Sequence, residues 1–142
     1  MRILVDADAC PVKKIIISLA KKLNIKVIMF IDTSHNISDG YSEVVMVDKA
    51  MDSVDIKLVN SLEKEDVVIT QDYGVATMSI AKGAKVINQN GYIIDNNNIE
   101  RLMFERFLSQ KIRRSGNRVK GPKKRSKEDD ERFKKEFEKL II

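Results

Sequence analysis

Several aspartates stand directly after short apolar runs, at the places where parallel strands would end. These residues are Asp6, Asp8, Asp32, Asp48 and Asp72. The carboxyl ends of parallel strands share one edge of a sheet, and ligands bind outside that edge where the strand order reverses. We therefore expect several of these carboxylates to lie close together. Clustered carboxylates without His or Cys partners favour hard, oxygen-preferring cations, above all Mg²⁺ or Mn²⁺.

Two further aspartates, Asp52 and Asp55, stand three residues apart at the start of a helix predicted over residues 51–62. At this spacing both side chains point from one face of the helix. Asp55 also continues the apolar stripe that includes Leu58 and Leu62. A carboxylate on a core-facing stripe is partly desolvated, which costs free energy unless a cation or hydrogen bonds compensate it. Asp52 and Asp55 are therefore candidates for the same cation site.

Each single aspartate also has a simpler explanation, because aspartate after a strand is a favoured N-cap of the next helix. We prefer a capping or solvent-exposed position for Asp32, Asp48 and Asp95. We prefer a role in the cation site for Asp6, Asp55 and Asp72.

Short apolar strands alternate with amphipathic helices along the chain. Strands are predicted over residues 3–5, 27–31, 44–47, 67–70 and 86–87. Helices are predicted over residues 12–23, 51–62, 75–82 and 97–113, with a last helix after Ser126. This alternation predicts one three-layer α/β domain, with a mostly parallel sheet of about five strands covered on both faces. Asn97 with Glu100 and Ser126 with Asp129 are typical of capping boxes at the last two helices.

Composition and charge divide the chain into two parts. With 142 residues, of which 43% are hydrophobic and 33% charged, the chain fits one folded domain. The net charge of +5 is concentrated in residues 111–127, which carry nine basic and no acidic side chains. We therefore predict an α/β domain over residues 1–113. Residues 114–142 are predicted to form a basic loop and an amphipathic helix, packed on the domain or on a partner.

The sequence favours a cytoplasmic protein that does not act on membranes. No apolar run has the length needed to cross a bilayer, and Met1-Arg2 leads directly into the first strand. The single cysteine, Cys10, cannot form an internal disulfide.

Three segments of the chain resemble the YaiI/YqxD family of uncharacterised proteins. They are residues 5–12 (VDADACPV), residues 68–76 (VITQDYGVA), and Arg114-Ser115-Gly116 together with Gly121-Pro122. The similarity runs over nearly the whole chain, and the DADACP run is specific. The fold of that family is similar to that of PIN-domain nucleases, so the resemblance implies a PIN-like domain.

PIN-type enzymes hold metal through aspartates whose places match Asp6, Asp55 and Asp72, which the resemblance thus makes the catalytic residues. Asp8 and Asp52 are additional candidate ligands, directly or through water. The usual PIN acidic residue of the second helix region has no clear counterpart here, and Asp52 is the candidate to replace it.

The resemblance implies metal-dependent hydrolysis of phosphodiester bonds in nucleic acid, and we favour RNA over DNA as the substrate. Mg²⁺ or Mn²⁺ would activate a water molecule and stabilise the leaving oxygen. Basic side chains would neutralise the phosphate backbone, and this binding would weaken as salt rises. The candidates are Arg113, Arg114, Arg118, Lys120, Lys123 and Lys124. The alternative for this segment is a solubilising linker.

Two other functions remain open. A phosphatase of the haloacid-dehalogenase type would use the Asp6-x-Asp8 pair and form a covalent aspartyl phosphate. A non-catalytic nucleic-acid-binding protein would use the basic segment, with the aspartates serving the structure. A homodimer is also open, because the apolar stripe of the last helix could pack on its own core or on a second copy. That stripe consists of Phe133, Phe137, Leu140 and Ile141.

Overall fold

The computed structural model describes residues 1–32, 37–48, 53–118 and 124–142. Within these residues the strands are β1 (Ile3–Asp6), β2 (Val27–Asp32), β3 (Glu43–Val47), β4 (Val67–Ile69), β5 (Lys85–Ile87) and β6 (Ile93–Ile94). The helices are α1 (Lys13–Leu23), α2 (Val54–Ser61), α3 (Tyr73–Ala81), α4 (Ile99–Arg114) and α5 (Lys127–Ile141). The predicted mixed α/β fold is therefore confirmed.

The strands form one sheet in the order β3-β2-β1-β4-β5-β6. The first five strands in this order are parallel, and β6 pairs antiparallel with β5. From β1 the chain builds one half of the sheet through β2 and β3, and it then returns to place β4 on the other side of β1. The strand order thus reverses between β1 and β4, which is where an open parallel sheet forms a ligand crevice.

Two apolar clusters cover the two faces of the sheet. Along β1, Ile3 and Val5 point to one face and Leu4 to the other, as the alternation of a strand requires. The first face is covered by α1 and α5, and the second by α2, α3 and the start of α4. Helix, sheet and helix make three layers.

The apolar stripe of α5 is buried in the chain's own core. Phe133 and Phe137 are fully buried, and their rings stack with centroids 5.2 Å apart. Ile141 joins the same cluster, and Leu140 packs against it. This stripe is therefore occupied by its own domain and is not a surface for a second copy. The division of the chain at residues 113 and 114 stays a prediction, and α4 ends at that point.

Of the two predicted capping boxes, the structure contains one. The predicted capping box of Asn97 is wrong, because α4 begins at Ile99 with Asn98 as its N-cap. The Asn98 side chain instead accepts a hydrogen bond from the Asp95 N–H at 3.0 Å and donates one to the Ile93 carbonyl at 2.8 Å. At α5 the predicted capping box is confirmed.

The sheet has one strand more than predicted, and α2 starts later. The extra strand, β6, has two residues, too few to show an alternating pattern. Helix α2 begins at Val54, with Ser53 as its N-cap, whereas the prediction began at residue 51. Residues 49–52 lie outside the described residues.

Among the residues that the structure describes, no helix combines the length and apolarity that crossing a membrane requires.

Candidate metal and nucleic-acid site

The two strands at the reversal point are linked by a buried threonine. Thr70 directly follows β4, and its Oγ1 donates a hydrogen bond to Asp6 Oδ2 at the end of β1, at 3.0 Å. The same Oγ1 accepts a hydrogen bond from the Asp72 N–H at 3.0 Å. Thr70 is only 2% exposed. It therefore fixes the Asp6 carboxylate relative to the loop that carries Asp72.

Asp72 is the N-cap of α3. Its Oδ1 accepts hydrogen bonds from the backbone N–H groups of Gly74 at 2.7 Å and Val75 at 3.2 Å. A Cβ atom at position 74 would lie 3.0 Å from this oxygen, so glycine permits the close approach. The capping explanation thus applies to Asp72, and the cap holds this carboxylate in one orientation.

The pKa values of Asp6 and Asp55 are raised, and the charge of Asp72 contributes to both shifts. Burial raises the pKa of Asp6 to about 6, the hydrogen bond from Thr70 opposes this rise, and the negative charges of nearby aspartates add to it. Those aspartates are Asp55, Asp72 and Asp8. Burial also raises the pKa of Asp55, as do the charge of Asp72 and a hydrogen bond with it. The expected convergence of carboxylates from β1, α2 and the end of β4 is therefore present.

Asp8 joins the end of β1 to the end of β2. Its Oδ2 accepts a hydrogen bond from the Asp32 N–H at 3.2 Å. Asp32 itself is buried, so the solvent-exposed alternative is wrong for it, and the segment that follows lies outside the described residues. Asp48, at the end of β3, is exposed as expected. Asp95, half-buried, accepts a hydrogen bond from the Asn97 N–H at 2.9 Å.

The donor set suits a sparsely ligated hard cation. Within residues 1–32, 37–48, 53–118 and 124–142, no three or more His, Cys, Asp or Glu side chains are arranged to hold a metal ion. Mg²⁺ in proteins commonly keeps several waters and takes one or two carboxylates together with substrate phosphates. Two carboxylates that Thr70 links, Asp6 and Asp72, fit that mode. Asp52 lies outside the described residues, so its role as a ligand stays a prediction.

A cleft of about 720 Å³ opens beside these aspartates, between the loop after β4 and one face of α4. We call it the edge cleft. Its acidic wall includes Asp6, Asp8 and Asp72. The opposite wall is the polar face of α4: Glu105, Arg106, Ser109, Gln110 and Arg113. The cleft therefore places arginines across from carboxylates.

Arg106 is a site residue that the sequence analysis missed. Its guanidinium lies 5.8 Å from the centroid of the Tyr73 ring, at the start of α3, and both residues line the edge cleft. A signal was present, because Arg106 stands seven residues before Arg113 and so on the same side of a helix. Thr70 was missed as well, since within a strand it reads as one more β-branched residue.

The predicted basic residues are spread over several places. Arg113 lines the edge cleft, whereas Arg114, Arg118 and Lys124 are exposed. Lys120 and Lys123 lie outside the described residues. Arg125, in the same basic segment, forms an ion pair with Asp130 at 2.7 Å and donates hydrogen bonds to Asn90 and to the Gln89 carbonyl. That arginine fastens the start of α5 to the loop after β5.

Comparison with known proteins assigns the chain to a family. The profile of the family described as "Uncharacterized BCR, YaiI/YqxD family" matches residues 4–142. A UPF0178 protein of Ruminiclostridium cellulolyticum is 64% identical over 135 residues, which cover 95% of this chain and 88% of that protein. A UPF0178 protein of Clostridium tetani is 51% identical over 142 residues, which cover 100% and 95%. No solved structure matches. The chain belongs to the YaiI/YqxD family.

Proposed function

We propose that this protein is an enzyme that hydrolyses phosphodiester bonds of nucleic acid, RNA rather than DNA, with Mg²⁺ or Mn²⁺. The observation that carries the proposal is that, in the edge cleft, a wall with carboxylates faces a wall with arginines. Interacting carboxylates lie at the point where the strand order reverses, and arginines of α4 lie opposite them.

The partly buried carboxylates favour the binding of a cation. Burial raises the pKa of Asp6 and of Asp55, and repulsion from neighbouring carboxylates, including that of Asp72, adds to both shifts. A bound divalent cation removes that repulsion and favours the ionised forms. Such an ion supplies Lewis-acid activation of water and charge stabilisation at the leaving oxygen. The protein's own part is to hold Asp6 by the Thr70 hydrogen bond and Asp72 by the α3 cap.

The arginines of α4 that line the edge cleft favour the binding of a polyanionic substrate. Arg106 and Arg113 stand on one face of α4, about two turns apart, and can contact successive phosphates of a strand in the edge cleft. Tyr73 also lines the edge cleft, where an aromatic side chain can stack on an unpaired base. The exposed Arg114, Arg118 and Lys124 extend the positive charge beyond the cleft. These features favour a single-stranded substrate.

The resemblance to PIN-domain nucleases that the sequence implies supports the same function. Asp6 ends β1, Asp55 stands in the first turn of the helix before β4, and Asp72 follows β4. That is the order in which PIN-type enzymes carry their metal-binding aspartates. We further infer a cytoplasmic location, because the single cysteine, Cys10, is a buried free thiol.

The proposal is tested with labelled single-stranded RNA and DNA of matched sequence, incubated with purified protein and Mn²⁺ or Mg²⁺. We expect cleavage of RNA that EDTA stops and that Asp6→Asn and Asp72→Asn each abolish. Asp48→Asn is the matched control, since Asp48 directly follows a strand but does not line the edge cleft. Its activity should equal that of the wild type.

Other outcomes identify the alternatives. Salt-sensitive binding without cleavage, unchanged by Asp72→Asn, would replace the proposal with a nucleic-acid-binding protein. A phosphoryl group trapped on Asp6 during turnover of a phosphate ester would replace it with a phosphatase.

A further inference from the structure

Helix α4 exposes an unusual number of large apolar side chains. Five of them are between 41% and 60% exposed: Met103, Phe104, Phe107, Leu108 and Ile112. At 3.6 residues per turn their spacing keeps all five on one side of the helix. We call this side the α4 apolar face.

The α4 apolar face lies opposite the edge cleft. The side chains that line the cleft follow the same helical spacing, offset by half a turn, and include Arg106, Ser109 and Arg113. A surface helix of a monomer normally turns its apolar side to the core and its polar side to water. Only Ile99 of α4 is buried. The apolar side of α4 therefore faces outward, which is the reverse of the usual arrangement in a surface helix of a monomer.

We propose that the α4 apolar face binds a second copy of this chain, with the two α4 helices antiparallel about a two-fold axis. The five side chains expose roughly 450 Å² of apolar surface, given that a large apolar or aromatic side chain presents about 150–250 Å² when free. A standard interface buries about 800 Å² on each partner, of which about 57% is apolar. The face therefore supplies the apolar area that one side of a stable dimer needs.

Charge along the same side of α4 selects the antiparallel arrangement. Glu100, Phe104, Phe107 and Lys111 succeed one another at spacings of four, three and four residues, which form one seam on a helix. In an antiparallel pair, Phe104 meets Phe107 of the second copy and Glu100 meets Lys111 of the second copy. A parallel pair would instead set Glu100 against Glu100 and Lys111 against Lys111, which is unfavourable.

This pairing leaves both edge clefts open, because they lie on the far side of each α4. It also fixes the helix that carries Arg106 and Arg113. The inference concerns oligomeric state alone and does not depend on the proposed nuclease activity.

Sedimentation equilibrium of the full chain, over about 1 to 100 μM, tests the proposal. We expect a monomer–dimer equilibrium whose Kd rises at least about tenfold in each of Phe104→Glu and Phe107→Glu, as for central aromatic residues of an interface. Met46→Glu is the control, because Met46 is 55% exposed on β3, away from α4. Its Kd should stay at the wild-type value, and circular dichroism checks that each variant is folded.

A charge exchange tests the orientation. Glu100→Lys and Lys111→Glu should each weaken the dimer, and the double variant should restore it, because the antiparallel pair then forms with reversed signs. A wild type that stays monomeric at 100 μM would overturn the proposal. So would a dimer that both phenylalanine variants leave intact, and a failed charge rescue would overturn the antiparallel pairing.

Discussion

Replacing Asp6 by Asn should make the metal-free protein more stable at neutral pH. Burial raises the pKa of Asp6 from 3.8 to about 6, with the hydrogen bond from Thr70 opposing and the neighbouring carboxylates adding to the rise. Since one pKa unit corresponds to about 1.4 kcal/mol, ionised Asp6 destabilises the folded state by at most about 3 kcal/mol at pH 7. The asparagine substitution removes the charge and keeps an oxygen that accepts from Thr70.

The sign of the pH dependence follows from the same shift. Between about pH 4 and pH 6 the folded state holds the Asp6 proton more tightly than the unfolded state does, so the free energy of unfolding falls as pH rises through this window. Below the window the protonated carboxyl carries no penalty. Asp6→Asn should therefore match the wild type near pH 4 and exceed it by about 1 to 3 kcal/mol at pH 7.5. Asp55, whose pKa is also raised, gives both proteins a residual slope of the same sign.

Urea unfolding with EDTA, and again with Mn²⁺ or Mg²⁺, measures both consequences. A gain of about 2 kcal/mol moves the unfolding midpoint by about 1 M urea at common m-values. A cation at about 100 times its Kd stabilises the wild type by about 2.7 kcal/mol, which would bring it near the variant. We expect the variant to respond much less to the cation. Asp48→Asn, tested in parallel, should respond as the wild type does.

Two results would refute this reasoning. If Asp6→Asn is less stable than the wild type in EDTA at pH 7.5, the carboxylate is not under electrostatic strain. If both proteins gain the same stability from the cation, Asp6 does not help to hold it.

Two further predictions concern α4 and the base of the sheet. Arg106→Ala should weaken RNA binding by about tenfold and flatten its salt dependence. Arg101→Ala should not, because Arg101 is exposed and does not line the cleft; fluorescence anisotropy at several salt concentrations compares the two variants. Asp66→Ala should lower the free energy of unfolding by about 3 to 5 kcal/mol, because Asp66 is 2% exposed and accepts hydrogen bonds from Arg2 and the Glu63 N–H. Glu63→Ala should change it by less than about 1 kcal/mol, since Glu63 is exposed, and chemical denaturation separates the two.

The sequence predicted the elements well where local pattern decides them. Apolar strands followed by amphipathic helices gave the parallel sheet, and parallel strands bring their carboxyl ends to one edge whatever their order. The positions of Asp6 and Asp72 therefore followed from element order alone. Strand β6 and the Asn98 cap did not, because two residues carry no period and Asn97 and Asn98 are chemically alike.

Helix α4 shows what hydrophobic periodicity cannot predict. The apolar positions Met103 and Phe107 indicated a helix correctly, yet a period tells nothing about what the apolar side contacts. In the structure Phe107 is 56% exposed, and Met103 is 44% exposed with its Sδ 3.5 Å from Thr77 Oγ1 of α3, while the polar side faces the edge cleft. The role of Arg106 and the α4 apolar face thus depend on how the helix is rotated against α3. That rotation is set by tertiary packing, which a single sequence does not reveal.

Asp72 is the N-cap of α3 and a proposed metal ligand, which decides which substitution is informative. Both capping hydrogen bonds of α3 end on Oδ1, so the capping and metal-binding explanations do not compete for the same oxygen. Asparagine is as good an N-cap as aspartate, whereas alanine removes a cap worth about 1 kcal/mol. An alanine variant would therefore mix lost helix stability with lost chemistry. Asp72→Asn keeps the helix start and removes only the charge, so its effect on cation binding and cleavage reports on the site itself.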